Sequence, residues 1–428
     1  MRRLLIKNVG PIRDVDLELK RFNILIGPQS SGKSTIAKIL STCSWIEKET
    51  ATTQNVHAIP DGESFTALVE SFHKMSGYFN DGSEVLYDTD YVCLHYLNGD
   101  FSVVLKDGNV YKRKKVCYIP AERNMVTLPE LQGYEFKATN LRSFLFDWFA
   151  AREFFGPDNK TNILDLGIKY FFDGKEPVEK DRLEHSNGES YGISLPNASS
   201  GLQSVVPLVI MLRYYSGQYY NDYGAKQSFA GSEKKHRLLL SLMEKYVFSH
   251  IPENKLGDRN TSMQDFIREA YEGNDEYAGW LKEFEMVYQS LTVPQCTDFI
   301  IEEPEQNLFP VTQKTLVEEL ISACNDSGHE HGFTLTTHSP YILASLNNLI
   351  YAYQVGQKHK GQVIGILPEK YWIDPESISA LMVKDGVVEN IVDADLMHIM
   401  AEKIDSVSTC INEEFDSLMD IDVYGAEK

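Results

Sequence analysis

Long apolar runs are missing from this chain of 428 residues. No stretch approaches the ~20 residues needed to cross a bilayer, and mean hydropathy is −0.29. The basic start, Arg2-Arg3-Leu4-Leu5-Ile6-Lys7, has no long apolar region behind it, so no secretory leader and no membrane partner are expected. Positive charge is also scarce. Lys plus Arg number 41 against 62 Asp plus Glu, a net charge of −21. Such a surface repels phosphate backbones, so net charge does not indicate nucleic acid as a partner. The six cysteines, Cys43, Cys93, Cys117, Cys296, Cys324 and Cys410, form no CxxC pair and no cluster, and a reducing, cytoplasmic setting is expected. Repeats and low-complexity segments are absent. What remains is an ordinary globular composition, 43% hydrophobic and 24% charged, with length for roughly two to three domains.

The hydrophobic pattern predicts an α/β protein. Leu4–Val9, the alternating Val15–Leu19 and the apolar run Phe22-Asn23-Ile24-Leu25-Ile26 read as strands. A glycine-bearing loop and an apolar helix from Thr35 to about Trp45 follow, and residues 48–80 read as a polar insertion. Strand-like alternation fills 85–120, with a turn at Asn98-Gly99-Asp100. Helical patterns dominate 126–290. Strand–helix alternation returns with Phe299-Ile300-Ile301 and Phe333-Thr334-Leu335-Thr336. Across 395–419, Leu396, Met400, Ile404, Val407, Ile411, Phe415 and Leu418 recur at helical spacing, which predicts a terminal amphipathic helix. The expected division is therefore a core unit in two parts, 1–125 and 291–392, split by a helical lobe at 126–290 and followed by the helix within 393–428.

Gly27-Pro28-Gln29-Ser30-Ser31-Gly32-Lys33-Ser34-Thr35 fits GxxxxGK[ST] between a predicted strand and a predicted helix. Glycines let backbone wrap a phosphate closely, and amides at a helix N-terminus point at the anion. Lys33 is expected to reach the β and γ phosphates of ATP, Ser34 to bind Mg²⁺ and Thr35 to touch the α phosphate.

Phe299-Ile300-Ile301-Glu302-Glu303-Pro304-Glu305 is a buried-type strand ending in carboxylates. After a phosphate loop, Glu302 is expected to serve the metal and Glu303 to act as catalytic base. Thr336-Thr337-His338-Ser339-Pro340 ends another apolar strand, and His338 is expected to sense the γ phosphate. Asn197-Ala198-Ser199-Ser200-Gly201-Leu202-Gln203 opens an apolar helix and offers a second cluster of free amides, with an ordinary N-cap as the plainer alternative.

This order of motifs resembles the ABC-type ATPases, within them the RecF/SMC-like branch, and most of all the ATPase domain of the OLD family. Glu302-Glu303-Pro304-Glu305 with Leu308-Phe309-Pro310 resembles the Walker B and D-loop of that branch, and Ser199-Ser200-Gly201-Leu202-Gln203 a degenerate LSGGQ signature. Tyr118-Ile119-Pro120-Ala121-Glu122-Arg123 resembles the segment before the helical lobe; Glu122 and Arg123 stand near the family's Q-loop glutamine. The resemblance covers about 1–45, 115–125, 195–215 and 296–345. It implies a two-lobe P-loop NTPase, ATP and Mg²⁺ as cofactors, and a head-to-tail homodimer or higher even-numbered oligomer. In that assembly Ser199, Ser200, Gly201 and Gln203 act in trans on the partner's phosphate loop. Stand-alone ATPases of this kind resemble subunits of anti-phage systems of the Septu and PARIS types, which implies a separate effector, a nuclease or toxin. The rivals are a RecF-like DNA-repair or DNA-end-binding ATPase and a non-hydrolysing nucleotide-gated scaffold.

Other features carry weaker expectations. Asp393-Ala394-Asp395 runs straight into the terminal helix and gives no TOPRIM nuclease domain. His329-Glu330-His331 is expected in a solvated loop, the tyrosines from Tyr214 to Tyr223 in an aromatic core or interface, and Lys112-Arg113-Lys114-Lys115 on a solvated edge strand.

Overall fold

The computed structural model describes residues 2–57, 62–106, 108, 110–128, 138–174, 180–186, 192–223, 229–250, 268, 272, 275–326, 328–393, 396–400 and 412–419. The architecture is mixed α/β, built on an eleven-stranded sheet of order β6-β5-β4-β1-β2-β15-β14-β3-β13-β12-β7. Its antiparallel wing holds β1 (Arg2–Val9), β2 (Ile12–Leu19), β4 (Phe79–Asp88), β5 (Val92–Leu97) and β6 (Asp100–Leu105). Its parallel part holds β3 (Phe22–Ile26), β7 (Lys114–Ile119), β12 (Cys296–Glu302), β13 (Gly332–Thr337) and β14 (Ile378–Lys384). The hairpin β14–β15 (Val387–Asn390) joins the two, since β15 also pairs in parallel with β2. Asn98 and Gly99 both have positive φ, 52° and 95°, as a two-residue hairpin with the strands' own twist requires.

The central parallel strands are buried because both of their faces are covered. Every residue of β3 and of β13 is buried. Phe22, Ile24 and Ile26 pack into one core with Phe299 and Ile301, while Leu25 and Ile300 pack into the other. Helix α1 (Lys33–Thr53) and α2 (Gly62–His73) cover the second face. The first face carries α4 (Ser200–Arg213), α7 (Pro310–Asn325) and α8 (Pro340–Ile364), with α3 (Asn140–Arg152) contributing Phe144 and Trp148. Two further helices, α5 (Phe229–Tyr246) and α6 (Asp275–Thr292), form a satellite cluster with Ala51 and Tyr111.

Three local expectations need correction. Helix α1 runs on to Thr53 rather than ending near Trp45. Its second half looked polar because Glu47 is buried for its hydrogen bonds, accepting from Tyr87 Oη at 3.0 Å and Thr89 Oγ1 at 2.7 Å. Residues 126–290 hold strands as well as helices. β8 (Thr161–Asn162), β9 (Ile168–Asp173), β10 (Lys180–His185) and β11 (Gly192–Ser194) form a four-stranded antiparallel sheet. Its buried Tyr170, Phe172 and Leu183 point inward at period two, a signal the longer helical patterns masked. Finally, residues 396–400 do not begin a helix. Val392 and Ile399 form an antiparallel bridge, and Asn347 of α8 holds Ile399 through two hydrogen bonds of 2.7 Å. Residues 412–419 are helical and wholly exposed, while 401–411 and 420–428 lie outside the described residues, as do Ala394 and Asp395 of the DxD.

Candidate functional site

Gly27–Ser31 joins β3 to α1 at the carboxyl end of the parallel strands, the usual place for a ligand in such sheets. Gly27 has φ 153°, Ser30 58° and Gly32 106°. A Cβ on Gly27 would sit 2.1 Å from the Val383 carbonyl of β14, and one on Gly32 2.3 Å from Ile12. Only glycine fits either place. Gly32 is also the cap of α1, and no side chain caps that helix end. Lys33 Nζ donates to the carbonyls of Gly27 at 2.9 Å and Pro28 at 2.7 Å. Burial pulls its pKa down to about 8, against an opposing pull from Glu303 and Glu305. Ser31 and Thr35 are buried, while Ser34 is half-buried.

Two strands away, β12 ends in Glu302. Its carboxylate faces the hydroxyls of Ser34 and Tyr118 and is raised in pKa by burial. Oε2 accepts from Ala121 N–H at 3.3 Å; Oε1 is buried with no hydrogen-bond partner. A hydroxyl and an unpaired carboxylate oxygen side by side are hard donors that fit a Mg²⁺ ion. Glu303 follows with φ 44°, a left-handed conformation that a non-glycine residue adopts at a cost. That twist sends consecutive glutamates different ways, Glu302 inward and Glu303 half-exposed toward His338, whose Nε2 lies 3.6 Å from Glu303 Oε1. Glu305 then fixes the neighbouring strand end, accepting from Thr337 Oγ1 at 2.8 Å and His338 N–H at 2.6 Å. The structure thus brings together the phosphate loop, Glu302, Glu303 and His338, from three separate stretches of sequence.

The signature segment occupies the start of α4. Ser199 is its N-cap and accepts from Leu202 N–H at 3.5 Å. Ser199 and Ser200 are exposed. Gln203 is folded back, donating to the carbonyls of Pro196 at 2.8 Å and Ala198 at 3.1 Å. Gly201 lies against the loop after β12: a Cβ there would be 2.9 Å from the Asn307 carbonyl. Nearby Phe309 and Val311 are 73% and 60% exposed.

Glu122 and Arg123 differ sharply. Glu122 is exposed, whereas Arg123 is wholly buried. Arg123 donates to the carbonyls of Ser204 at 3.0 Å, Glu302 at 2.8 Å and Glu303 at 2.7 Å. It faces backbone rather than open space and ties the signature helix to the acidic strand end. Burial brings its pKa down to about 10, with Glu305, Glu303 and Glu302 opposing. Nothing in the flanking Glu122 and Asn124 marked Arg123 as buried.

The basic run is spent internally. Lys112 pairs with Glu330 at 2.9 Å, Lys114 with Asp298 at 3.4 Å and Lys115 with Asp147 at 2.7 Å. Arg113 donates to the carbonyls of Leu291 and Thr292. β7 is an edge strand, but a paired one. His331 is buried, not solvated: Nδ1 accepts from Thr297 N–H at 2.9 Å and Nε2 meets the Ser216 carbonyl at 3.0 Å. Tyr214 and Tyr215 belong to the core.

No family model and no curated relative matches the chain. Among solved structures, the SMC head domain from Thermotoga maritima aligns with a TM-score of 0.36 at 8% identity, covering 91% of this chain and 97% of that one. The recombination mediator protein RecF aligns with a TM-score of 0.29 at 9% identity, covering 91% and 97%. An ATP-binding cassette of an ABC transporter aligns at 0.25 and 10%, covering 91% and 90%. Fold and site together define a mixed α/β protein with a GxxxxGK[ST] loop between strand and helix, near two carboxylates at the end of β12. No helix among the described residues is long and apolar enough to cross a membrane.

Proposed function

We propose that this chain is a Mg²⁺-dependent ATPase of the ABC type, in which ATP drives two copies together head to tail. The observation that carries the reading is the split of the two glutamates: Glu302 with an unpaired buried oxygen beside Ser34, and Glu303 turned out toward His338. Ser34 and Glu302 would hold the ion, which supplies charge neutralisation at the β and γ phosphates. Amides of Ser31 to Ser34 would cradle the phosphates, with Ser30 and Gly27 shaping the loop. Lys33 would bind the β and γ groups and Thr35 the α group. Glu303 would take the proton of the attacking water, and His338 would hold the γ phosphate. Ser199 and Ser200, exposed at the start of α4, with the half-buried Gly201 against Asn307 and Leu308, would complete the partner copy's site. The closed pair would gate a separate effector, a nuclease or toxin, in anti-phage defence of the OLD-like kind.

The test pairs two variants. Glu303→Gln keeps shape and hydrogen bonding but removes the base, so hydrolysis falls ~10²-fold or more while ATP still binds. Dimers should then accumulate under ATP in light scattering. Ser200→Arg should also stop hydrolysis yet remain monomeric with ATP bound. Normal phosphate release by Ser200→Arg would mean that the site is not shared between copies.

A further inference from the structure

A cavity of about 440 Å³ lies between α1, α2, β7 and α3. Its walls are largely apolar: Trp45, Phe72, Tyr118, Phe144 and Phe146 come from all four elements. Trp45 and Phe146 are 39% and 58% exposed and form an aromatic rim. Such exposure of large aromatics at the mouth of a concave site is characteristic of ligand pockets, and the volume falls in the range of about 300–1,000 Å³ typical of small-molecule sites.

The cavity's charges are unequal. Lys48, Lys115 and Asp147 line it. Asp147 is fully committed to Lys115, accepting from Nζ with both oxygens at 2.7 Å, and takes a third hydrogen bond from Tyr215 Oη. No ion pair within 4.0 Å balances Lys48 among the described residues. Burial pulls its pKa down to about 8, helped by Lys115 and Arg113 and opposed by Glu49 and Asp147. A desolvated ammonium with no ion pair of its own within 4.0 Å, set in an aromatic cavity, costs free energy that an arriving anion would recover. The aromatic walls offer stacking faces for a planar body. Tyr118 is shared with the surroundings of the proposed ATP site, its hydroxyl facing Glu302; the phosphate loop, Glu302, Glu303 and His338 contribute nothing to these walls.

We infer that this cavity is a binding site for a small aromatic acid, a planar apolar body bearing one carboxylate, sulfonate or phosphate that pairs with Lys48. It goes beyond the ATPase reading and stands whether or not the chain hydrolyses ATP.

The probe is 8-anilinonaphthalene-1-sulfonate, an aromatic anion whose fluorescence rises on burial, with N-phenyl-1-naphthylamine as its uncharged counterpart. Both are titrated into the full chain with saturating Mg²⁺ and ATPγS, so that the phosphate loop is blocked. The wild type should bind the sulfonate. Lys48→Met, which keeps the apolar stem, should weaken it about tenfold, the size of one charge-assisted contact. Binding of the uncharged probe should change less than about twofold. Ser143→Trp, at the exposed rim, should block both probes. Equal sulfonate affinity in Lys48→Met, displacement by nucleotide, or undiminished binding to a folded Ser143→Trp would each overturn the assignment. Lys48→Met carries the test alone if the rim variant does not fold.

Discussion

Replacing Arg123 should unfold this protein more readily than replacing any residue of the phosphate loop. The side chain is 0% exposed, and its three short hydrogen bonds end on Ser204, Glu302 and Glu303 carbonyls. Hydrogen bonds from a charged donor contribute roughly 1.5–3 kcal/mol each, so the three amount to about 5–9 kcal/mol. Against this stands the cost of burying the guanidinium, whose pKa falls from 12.5 to about 10; at about 1.4 kcal/mol per unit this is of order 3 kcal/mol. The net contribution is about 2–6 kcal/mol. Arg123→Ala also strands three buried carbonyls, so a loss near 4 kcal/mol is expected, a large part of the roughly 5–15 kcal/mol of a typical protein. Arg123→Lys retains the charge but cannot fork to carbonyls on two elements, and about half that loss should remain. Urea unfolding at pH 7, followed by far-UV circular dichroism, measures both. Because two of the carbonyls belong to Glu302 and Glu303, Arg123→Lys should also lower ATP turnover under conditions where it stays folded. A loss under about 1 kcal/mol in Arg123→Ala would refute the clamp.

Further expectations follow from single observations. Lys33 loses its charge as pH rises through about 8, and a bound polyphosphate would restore it. ATP binding at pH 8.5, measured calorimetrically in two buffers of different ionisation enthalpy, should therefore take up protons; uptake equal to that at pH 6.5 would contradict this. His331 is held neutral, its pKa lowered from 6.5 to about 4 by burial. Between those values the unfolded chain binds the extra proton, so stability falls as pH drops from about 6.5 toward 4. His331→Gln should show a shallower slope over that window, and an identical slope would count against it. Glu303→Gly should relieve the positive φ and raise stability by about 1 kcal/mol while abolishing hydrolysis; a drop in melting temperature would show that the backbone there is not strained. Gly201→Ala should push Asn307 away and slow ATP turnover more than Ser199→Ala, which loses only a 3.5 Å cap.

What the sequence determined by itself was local chemistry. The phosphate loop was legible because its glycines answer to backbone geometry that no other residue fits, as Gly27 against Val383 and Gly32 against Ile12 demonstrate. The buried strands β3 and β12 were legible because covered strands carry apolar runs, Ile24-Leu25-Ile26 and Phe299-Ile300-Ile301. The expected grouping of Glu302, Glu303 and His338 came from motif order, yet their different orientations did not. Those depend on a left-handed backbone at Glu303 and on Glu305 holding the next strand end. Where one-dimensional periodicity misled, a tertiary partner decided. Glu47 kept α1 helical through Tyr87 and Thr89. Asn347 turned residues 396–400 into a bridge. Acidic partners absorbed Lys112, Lys114 and Lys115. The uncompensated Lys48 beside a filled Lys115–Asp147 pair was invisible in the chain, because charge balance in a cavity is a sum over four elements. Short-range sterics are written in neighbouring residues; burial and pairing are set by residues tens to hundreds of positions away, and only the folded chain brings them into contact.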